Sequence, residues 1–314
     1  MQPHVEFEST RAVVVEAGHR FWGWEIPIYL FVGGLVAGLM LAVCAMIILR
    51  GRESVTQAMR LGLLAAPILL SVGMGALFLD LTLKTHVFRF YLTFRPTSPM
   101  SLGSWVLMLV YPVQALLVMA LPWSPLQQRL ERFKQLDKIR ALAEKNLMRL
   151  AWAGLVGGFA LGIYTGVLLS TTVANPLWSS GALGFLFLVS GASTGVAALM
   201  LVEKDHATQT RFAQADVVLI ALELLLIGGW IVGLATQGPL YREAVSVILS
   251  GSYAPVFIGF VLFGGLLVPG VLEALSLQGK AQHSRTVPAL VLIGGLLLRF
   301  VVVYAGQEIA FYHA

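Results

Sequence analysis

Eight long apolar stretches divide this chain, each close to the length of one bilayer crossing. They run roughly over residues 25–49, 58–80, 104–122, 148–173, 180–202, 214–236, 253–275 and 286–305. About 20 helical residues cross the roughly 30 Å of hydrocarbon in a bilayer. The stretches lack the alternation of barrel strands and are too long to be such strands. Lipid satisfies no unpaired backbone group, so helices are the remaining solution. Composition agrees, because 58% of the 314 residues are hydrophobic and only 12% charged, outside the range of soluble domains. The expectation is an all-α integral membrane protein with eight transmembrane helices, arranged as two four-helix bundles.

Basic residues set the expected orientation. Fourteen of the 21 Lys and Arg lie in or beside the loops after spans 1, 3, 5 and 7, six lie on the other side, and Arg299 is inside the last span. The positive-inside rule then puts the basic loops in the cytoplasm and both termini of this multi-pass protein on the outer side, which in a bacterial cytoplasmic (inner) membrane is the periplasmic side. The net charge of +5 expresses this bias, not nucleic-acid binding. Residues 1–24 form an outer segment without the apolar core of a cleaved secretory signal. Residues 25–305 are the membrane domain, and 306–314 an outer tail. Within the domain, 124–147 is a long polar stretch with Leu130, Phe133, Leu136, Ile139 and Leu142 at helical spacing. That pattern predicts an amphipathic cytoplasmic connector lying on membrane lipid.

A weak internal similarity links residues 29–38 (YLFVGGLVAG) with 185–195 (FLFLVSGASTG), and 260–270 is a fainter echo. Small residues at this spacing let helix backbones approach closely, and their repetition favours a duplicated bundle.

The connection from Asp80 to Trp105 is longer than a turn between spans requires. Its run RPTSPMSLGSW over 95–105 carries two prolines that fix φ and several hydroxyls that can cap turns. A loop holding one shape over the end of the bundle is the expectation. Ionisable groups in or beside spans are functional candidates, because burying them is costly. Glu25, Asp80 and Arg299 lie toward the outer side. Glu203, Asp216 and Glu273 fall at inner span ends, where a carboxylate can reach the headgroups. Glu223 lies roughly 14 Å into its helix, near mid-membrane, and suits pairing or proton relay. Tyr29 and Tyr164 sit inside spans, and Tyr164 is flanked by small residues in the run GIYTG over 162–166. A phenol in an apolar cleft can hydrogen-bond a carbonyl while the walls hold a flat ligand. The six histidines (4, 19, 86, 206, 283 and 313) fall outside the spans, so no haem is expected. Lone Cys44 excludes an iron–sulfur cluster held by this chain alone, and no residue spacing suggests a metal site.

Residues 22–38 (WGWEIPIYLFVGGLVAG), Leu79-Asp80, the 95–105 run, Tyr164-Thr-Gly166 and the 298–307 ending LRFVVVYAGQ together resemble the NrfD/PsrC family, the membrane subunits of polysulfide-reductase-like complexes. The resemblance implies a subunit without redox groups of its own that binds a quinone, menaquinone or another, near the outer face. It implies a ferredoxin-like iron–sulfur subunit over that face and a molybdopterin or multihaem catalytic subunit beyond. By position, Tyr164 matches the tyrosine at the quinone headgroup. Tyr29 stands where the polysulfide-reductase branch has a histidine, and Ile26 where it has an asparagine, so Glu25 becomes a candidate polar replacement. The implied assignments are Tyr29, Tyr164, Glu25 and Asp80 for quinone binding, and Asp80, Glu223 and Glu273 for proton transfer. Arg89, Arg95 and Ser98 are the implied docking residues. The competing expectations are a proton-coupled secondary transporter, suggested by the repeat and the buried acids, and a pure membrane anchor.

Overall fold

The computed structural model describes residues 22–81, 84, 89–92, 94–95, 98–130, 132–171, 175–279 and 284–308. The long helices are α1 (Glu25–Arg50), α2 (Gln57–Asp80), α4 (Pro99–Ala120), α7 (Leu147–Ser170), α8 (Ala182–Val202), α9 (His206–Ala235) and α12 (Thr286–Gly306). One further crossing begins as a π-helix, Pro255–Leu267, and continues as α11, Val268–Leu277. Short helices α3 (Arg89–Leu92), α5 (Ser124–Leu130), α6 (Asp137–Lys145) and α10 (Pro239–Leu249) fill connections. Eight helices among the described residues are long and apolar enough to cross a membrane.

Three boundaries differ from the sequence expectation, each for a local reason. Helix α4 starts at Pro99, five residues early, because proline suits a first helical position and Ser98 before it is extended. Helix α9 starts at His206, because the Asp205 carboxylate caps it, accepting from the Thr208 amide at 2.9 Å. His206 therefore opens a crossing helix, although exposed at its end, and Asp216 moves from a helix end into the interior. The connector is broken and not one continuous helix. A 3₁₀ turn at Lys134–Leu136 separates α5 from α6, which restarts with Asp137 in its first turn, where helix polarity favours an acid.

Helices α1, α2, α4 and α7 form one four-helix group, and α8, α9, the π-helix with α11, and α12 form the other. The groups meet where α1 and α7 pack on α8. The crossing is made of glycine. A methyl group on Gly38 would stand 2.0 Å from the Gly191 carbonyl oxygen, and one on Gly195 would stand 2.2 Å from the Gly38 carbonyl carbon. The two similar segments of the sequence are therefore each other's packing partners. Gly166 of α7 approaches Leu183 of α8 in the same way, and Gly265 approaches Gly294 of α12. In lipid, where the hydrophobic effect between helices is absent, such close backbone contact supplies the association.

Each end of the bundle has its own clasp. At the end where α1 begins and α12 finishes, Trp22 stacks on Trp178 at 5.1 Å. Trp22 also exchanges hydrogen bonds with Gln307, its amide donating at 2.9 Å and its carbonyl accepting at 3.3 Å. The Trp178 indole donates to the Val302 carbonyl at 2.7 Å. At the connector end, Glu203 does not reach outward as expected. It is buried, accepting from the Thr56 hydroxyl and from the amides of Lys204 and Asp205 at 2.8 and 3.0 Å. That network joins the turn before α2 to the turn before α9.

Gly38→Val therefore overpacks the α1–α8 crossing and costs upwards of about 3 kcal/mol. Thermal unfolding of the detergent-purified protein should show a clear drop in Tm. Gly229→Ala, where an added methyl meets nothing within 4 Å, should leave Tm unchanged or slightly raised.

Candidate functional site

Residues 94, 95 and 98 pack back onto the first turns of α4. The Ser98 amide donates to the Arg95 carbonyl at 3.0 Å, and the Arg95 amide donates to the Ser101 hydroxyl at 2.9 Å. The Phe94 ring meets Trp105 edge-on at 5.3 Å. Arg95 is exposed, and Ser98 occupies the cap position of α4 without a side-chain cap bond. The Arg89 side chain, Pro96 and Thr97 lie outside the described residues.

Gly103 explains why this run needs a glycine. A methyl group there would sit 1.9 Å from Cζ of Tyr164 and 2.1 Å from its hydroxyl. The α7 phenol is thus laid against bare α4 backbone. Around it lies a cavity of about 80 Å³ with walls from five helices. Tyr29 of α1, Tyr91 of α3 and Tyr164 of α7 supply phenols, while Met74, Leu77, Phe78 and Leu81 of α2 and Met100 and Leu107 of α4 supply apolar wall. Tyr29 is deeply buried, and Phe78 and Met100 are exposed, so the cavity meets the surface on the α2–α4 side. Burial pushes the Tyr91 phenol above its ordinary range, and the Tyr111 phenol beside it adds to the shift. Tyr91 is consequently a neutral hydroxyl at physiological pH. The cavity is largely apolar and furnished with phenolic donors, a combination that suits a hydrophobic molecule with carbonyl edges.

Glu25 and Asp80 are not in the cavity lining. Asp80 ends α2 next to the lining residue Leu81, and Glu25 is close enough for their charges to interact. Ile26 packs in the core below Trp178 and not against the cavity.

Glu223 and Glu273 belong to a different place, the interior of the second four-helix group. Asp216 joins them there, fully buried, with Oδ1 accepting from the Ser193 hydroxyl at 2.6 Å. Glu273 is its partner, close enough for the two carboxyls to share a hydrogen bond, and apart from each other Asp216 Oδ2 and the Glu273 oxygens take no donor. The expectation that Asp216 and Glu273 reach headgroups therefore fails: α9 extends past Asp216, and Glu273 turns into the bundle. Glu223 has the Arg299 charge as its counterpart. Arg299 is held as a buried cation by the Ser190 hydroxyl, the Gly295 carbonyl at 2.9 Å, the Phe187 carbonyl at 3.2 Å and the Phe187 ring at 4.9 Å. Carbonyl and π-face contacts of this kind partly replace lost hydration. A cavity of about 40 Å³ lies beside Glu273, towards the connector end, its wall shared between Gln209, Ser276, Ser284 and Arg285 and the apolar Met200, Leu272, Val287 and Pro288.

The sequence reading missed Tyr91 and the seat that Gly103 provides, because neither falls on a periodic face. Ser190 and Ser193 read as small packing residues in the run SGAST over 190–194, and only the fold reveals their partners.

Comparison with known proteins bears on both sites together. Residues 13–310 match the family described as polysulphide reductase, NrfD. The C subunit of polysulfide reductase from Wolinella succinogenes is 29% identical over 299 residues, covering 91% of this sequence and 94% of that protein. Protein NrfD of Escherichia coli K12 is 30% identical over 312 residues, covering 91% and 95%. A protein NrfD homolog of Haemophilus influenzae is 27% identical over 303 residues, covering 91% and 94%. The match takes in all eight crossing helices, and the chain belongs to the NrfD polysulphide reductase family, as a multi-pass membrane protein.

Proposed function

We propose that this protein is the quinone-binding membrane subunit of a respiratory oxidoreductase complex, exchanging electrons between menaquinol and an external iron–sulfur subunit. One observation carries the reading. Tyr29 and Tyr164, far apart in sequence, converge with Tyr91 on one apolar cavity whose α4 wall is the glycine of the 95–105 run. Phenols on separate helices can donate to carbonyl oxygens on separate edges of one ring. A quinol bound there supplies two electrons and two protons. Asp80 and Glu25, beside the rim, are the acids that receive the protons. The exposed Arg95, with Arg89 and Ser98, is the surface on which the iron–sulfur subunit docks. The Wolinella relative is, by its name, one lettered part of a larger reductase, and a molybdopterin or multihaem catalytic subunit completes such an assembly. The setting is the bacterial inner membrane, with the cavity end facing the periplasm.

The second four-helix group supports proton movement in the same complex. Asp216 and Glu273 form a buried carboxyl pair with no other donor to Glu273, next to a cavity of mixed lining at the connector end. Glu223 and Arg299 stand deeper in the interior. Protons enter from the connector side at Glu273 and pass to Asp216, while Arg299 blocks free passage of cations.

Tyr164→Phe should lower quinol-linked turnover of the purified complex about tenfold to a hundredfold, the effect of leaving one buried carbonyl unpaired, with subunit assembly intact. Unchanged turnover rules out the cavity as the site. Gly103→Ala displaces the Tyr164 ring and should lower turnover at least as much, since a misplacement near 1 Å costs about a hundredfold. Glu273→Gln should abolish proton uptake from the connector side during turnover in proteoliposomes, leaving only the two protons released where the quinol is oxidised, with turnover in detergent within about twofold. Retained uptake from the connector side in that variant removes Glu273 from any proton route.

A further inference from the structure

Helix α2 packs chiefly on α1 and helix α4 on α7, so that an open groove is left between α2 and α4. Its half nearer the connector end has a volume of about 490 Å³, walled by Leu64 and Ile68 of α2 and Ala115, Val118 and Met119 of α4. Two prolines shape it, Pro67 inside α2 and Pro112 inside α4, because proline inside a helix bends the axis. Farther along stand Ser71 and Tyr111. Ser71 donates to the Pro67 carbonyl at 2.8 Å, and Tyr111 lies 3.0 Å from the Ser71 hydroxyl. The Ser71 proton is already used, so Tyr111 is the donor in that pair. With both hydroxyls engaged, the groove presents hydrocarbon.

Arg60 stands where the groove meets the connector end, one turn from Leu64 on α2. An arginine at a span end ordinarily runs its head out into water. Arg60 reaches across the mouth of the groove instead. Its Nη1 donates at 3.2 Å to the carbonyl of Pro122, one turn past Val118, and its Nε is buried with no acceptor. Just beyond, the Ser124 amide donates to Gln57 Oε1 at 3.3 Å and ties the two helix ends together. The Arg52 charge is close enough to repel that of Arg60. Glu144 is already shared by Arg52 at 3.5 Å and Arg140 at 3.2 Å, and Arg60 has no carboxylate partner among the described residues. A half-buried guanidinium with a neutral acceptor and a repelling neighbour lacks an anion. Its planar fork matches the oxygens of a phosphate, and basic pockets between crossing helices take lipid headgroups.

We propose that the connector-end half of the α2–α4 groove is a site for one anionic glycerophospholipid, with its phosphate on Arg60 and one acyl chain along Leu64 and Ile68 towards Tyr111. The head supplies the negative charge that Arg60 and Arg52 lack, and the chain fills the gap between two helices that touch little. A zwitterionic lipid fits less well, because it brings a cation of its own to a corner that already holds two. The groove shares no lining residue with the tyrosine cavity, so the inference stands apart from the quinone reading.

Photolabelling of the full-length protein in its native complex, in phosphatidylcholine nanodiscs, tests this. The probe is phosphatidylglycerol with a diazirine in one acyl chain. It should label peptides covering 64–72 and 111–119, with at least fivefold less label under excess plain phosphatidylglycerol. Arg60→Gln should lower the label about tenfold, the effect of losing a charge-assisted contact, and Arg60→Lys should keep more of it. Ile68→Trp, filling the groove from an exposed position with Arg60 intact, should lower the label as far as Arg60→Gln does. Label that phosphatidylglycerol fails to displace from the phosphatidylcholine background, or that survives either Arg60→Gln or Ile68→Trp, marks an ordinary boundary lipid and overturns the proposal. Displacement by excess menaquinone assigns the groove to a quinone tail, and displacement by inorganic phosphate makes Arg60 a site for a free anion. Either result also overturns it.

Discussion

The contact between α1 and α8 is the joint on which the rest of this membrane protein depends. Gly34 and Gly38 meet Gly191 and Gly195 with no room for a methyl group between the backbones. The two four-helix groups therefore share a fixed seam and cannot slide independently. Helix α1 carries Tyr29 on the cavity side, close to the seam. Helix α8 carries Ser190 and Ser193, which hold Arg299 and Asp216 on the other side. One glycine contact thus sets the positions of the tyrosine cavity and of the buried charges. Arg299 itself lies against this seam, because methyl groups added to Gly34 or Gly295 would approach its guanidinium at 3.3 and 3.5 Å.

The two interiors solve different physical problems. The first group is apolar apart from phenols, a few hydroxyls and the buried Gln114 carboxamide, which suits a hydrophobic molecule that must also find donors. The second buries three carboxyls and a guanidinium, among the most expensive groups to take from water. It tolerates them by surrounding the cation with carbonyls and a ring and by setting the Asp216 and Glu273 carboxyls against each other. Separating these chemistries across the seam keeps charge out of the tyrosine cavity.

Much of this was legible in the sequence. Eight apolar runs of bilayer length can only become helices, and lipid removes the alternatives. The 95–105 run announced a shaped segment through its prolines and hydroxyls. Tyr164 stood out because small residues flank it. What the sequence left hidden depends on long-range geometry. The similar glycine segments of α1 and α8 suggested duplication, yet nothing in either segment says that the two copies touch. Gly103 reads as a helix-start residue until Tyr164 is placed against it. Asp216 reads as an end-of-span acid because Asp205, the cap that lengthens α9, lies well upstream in a polar run. Tyr91 lies on a four-residue helix that no periodicity marks.

The most direct measurement is a cryo-electron-microscopy structure of the intact complex in nanodiscs with added menaquinone. Ring density in contact with Tyr29, Tyr91 and Tyr164, against the bare backbone of Gly103, is the expected result. Ring density bound anywhere else, with this cavity empty or filled by lipid, contradicts the assignment of the cavity as the place where the protein meets its quinone.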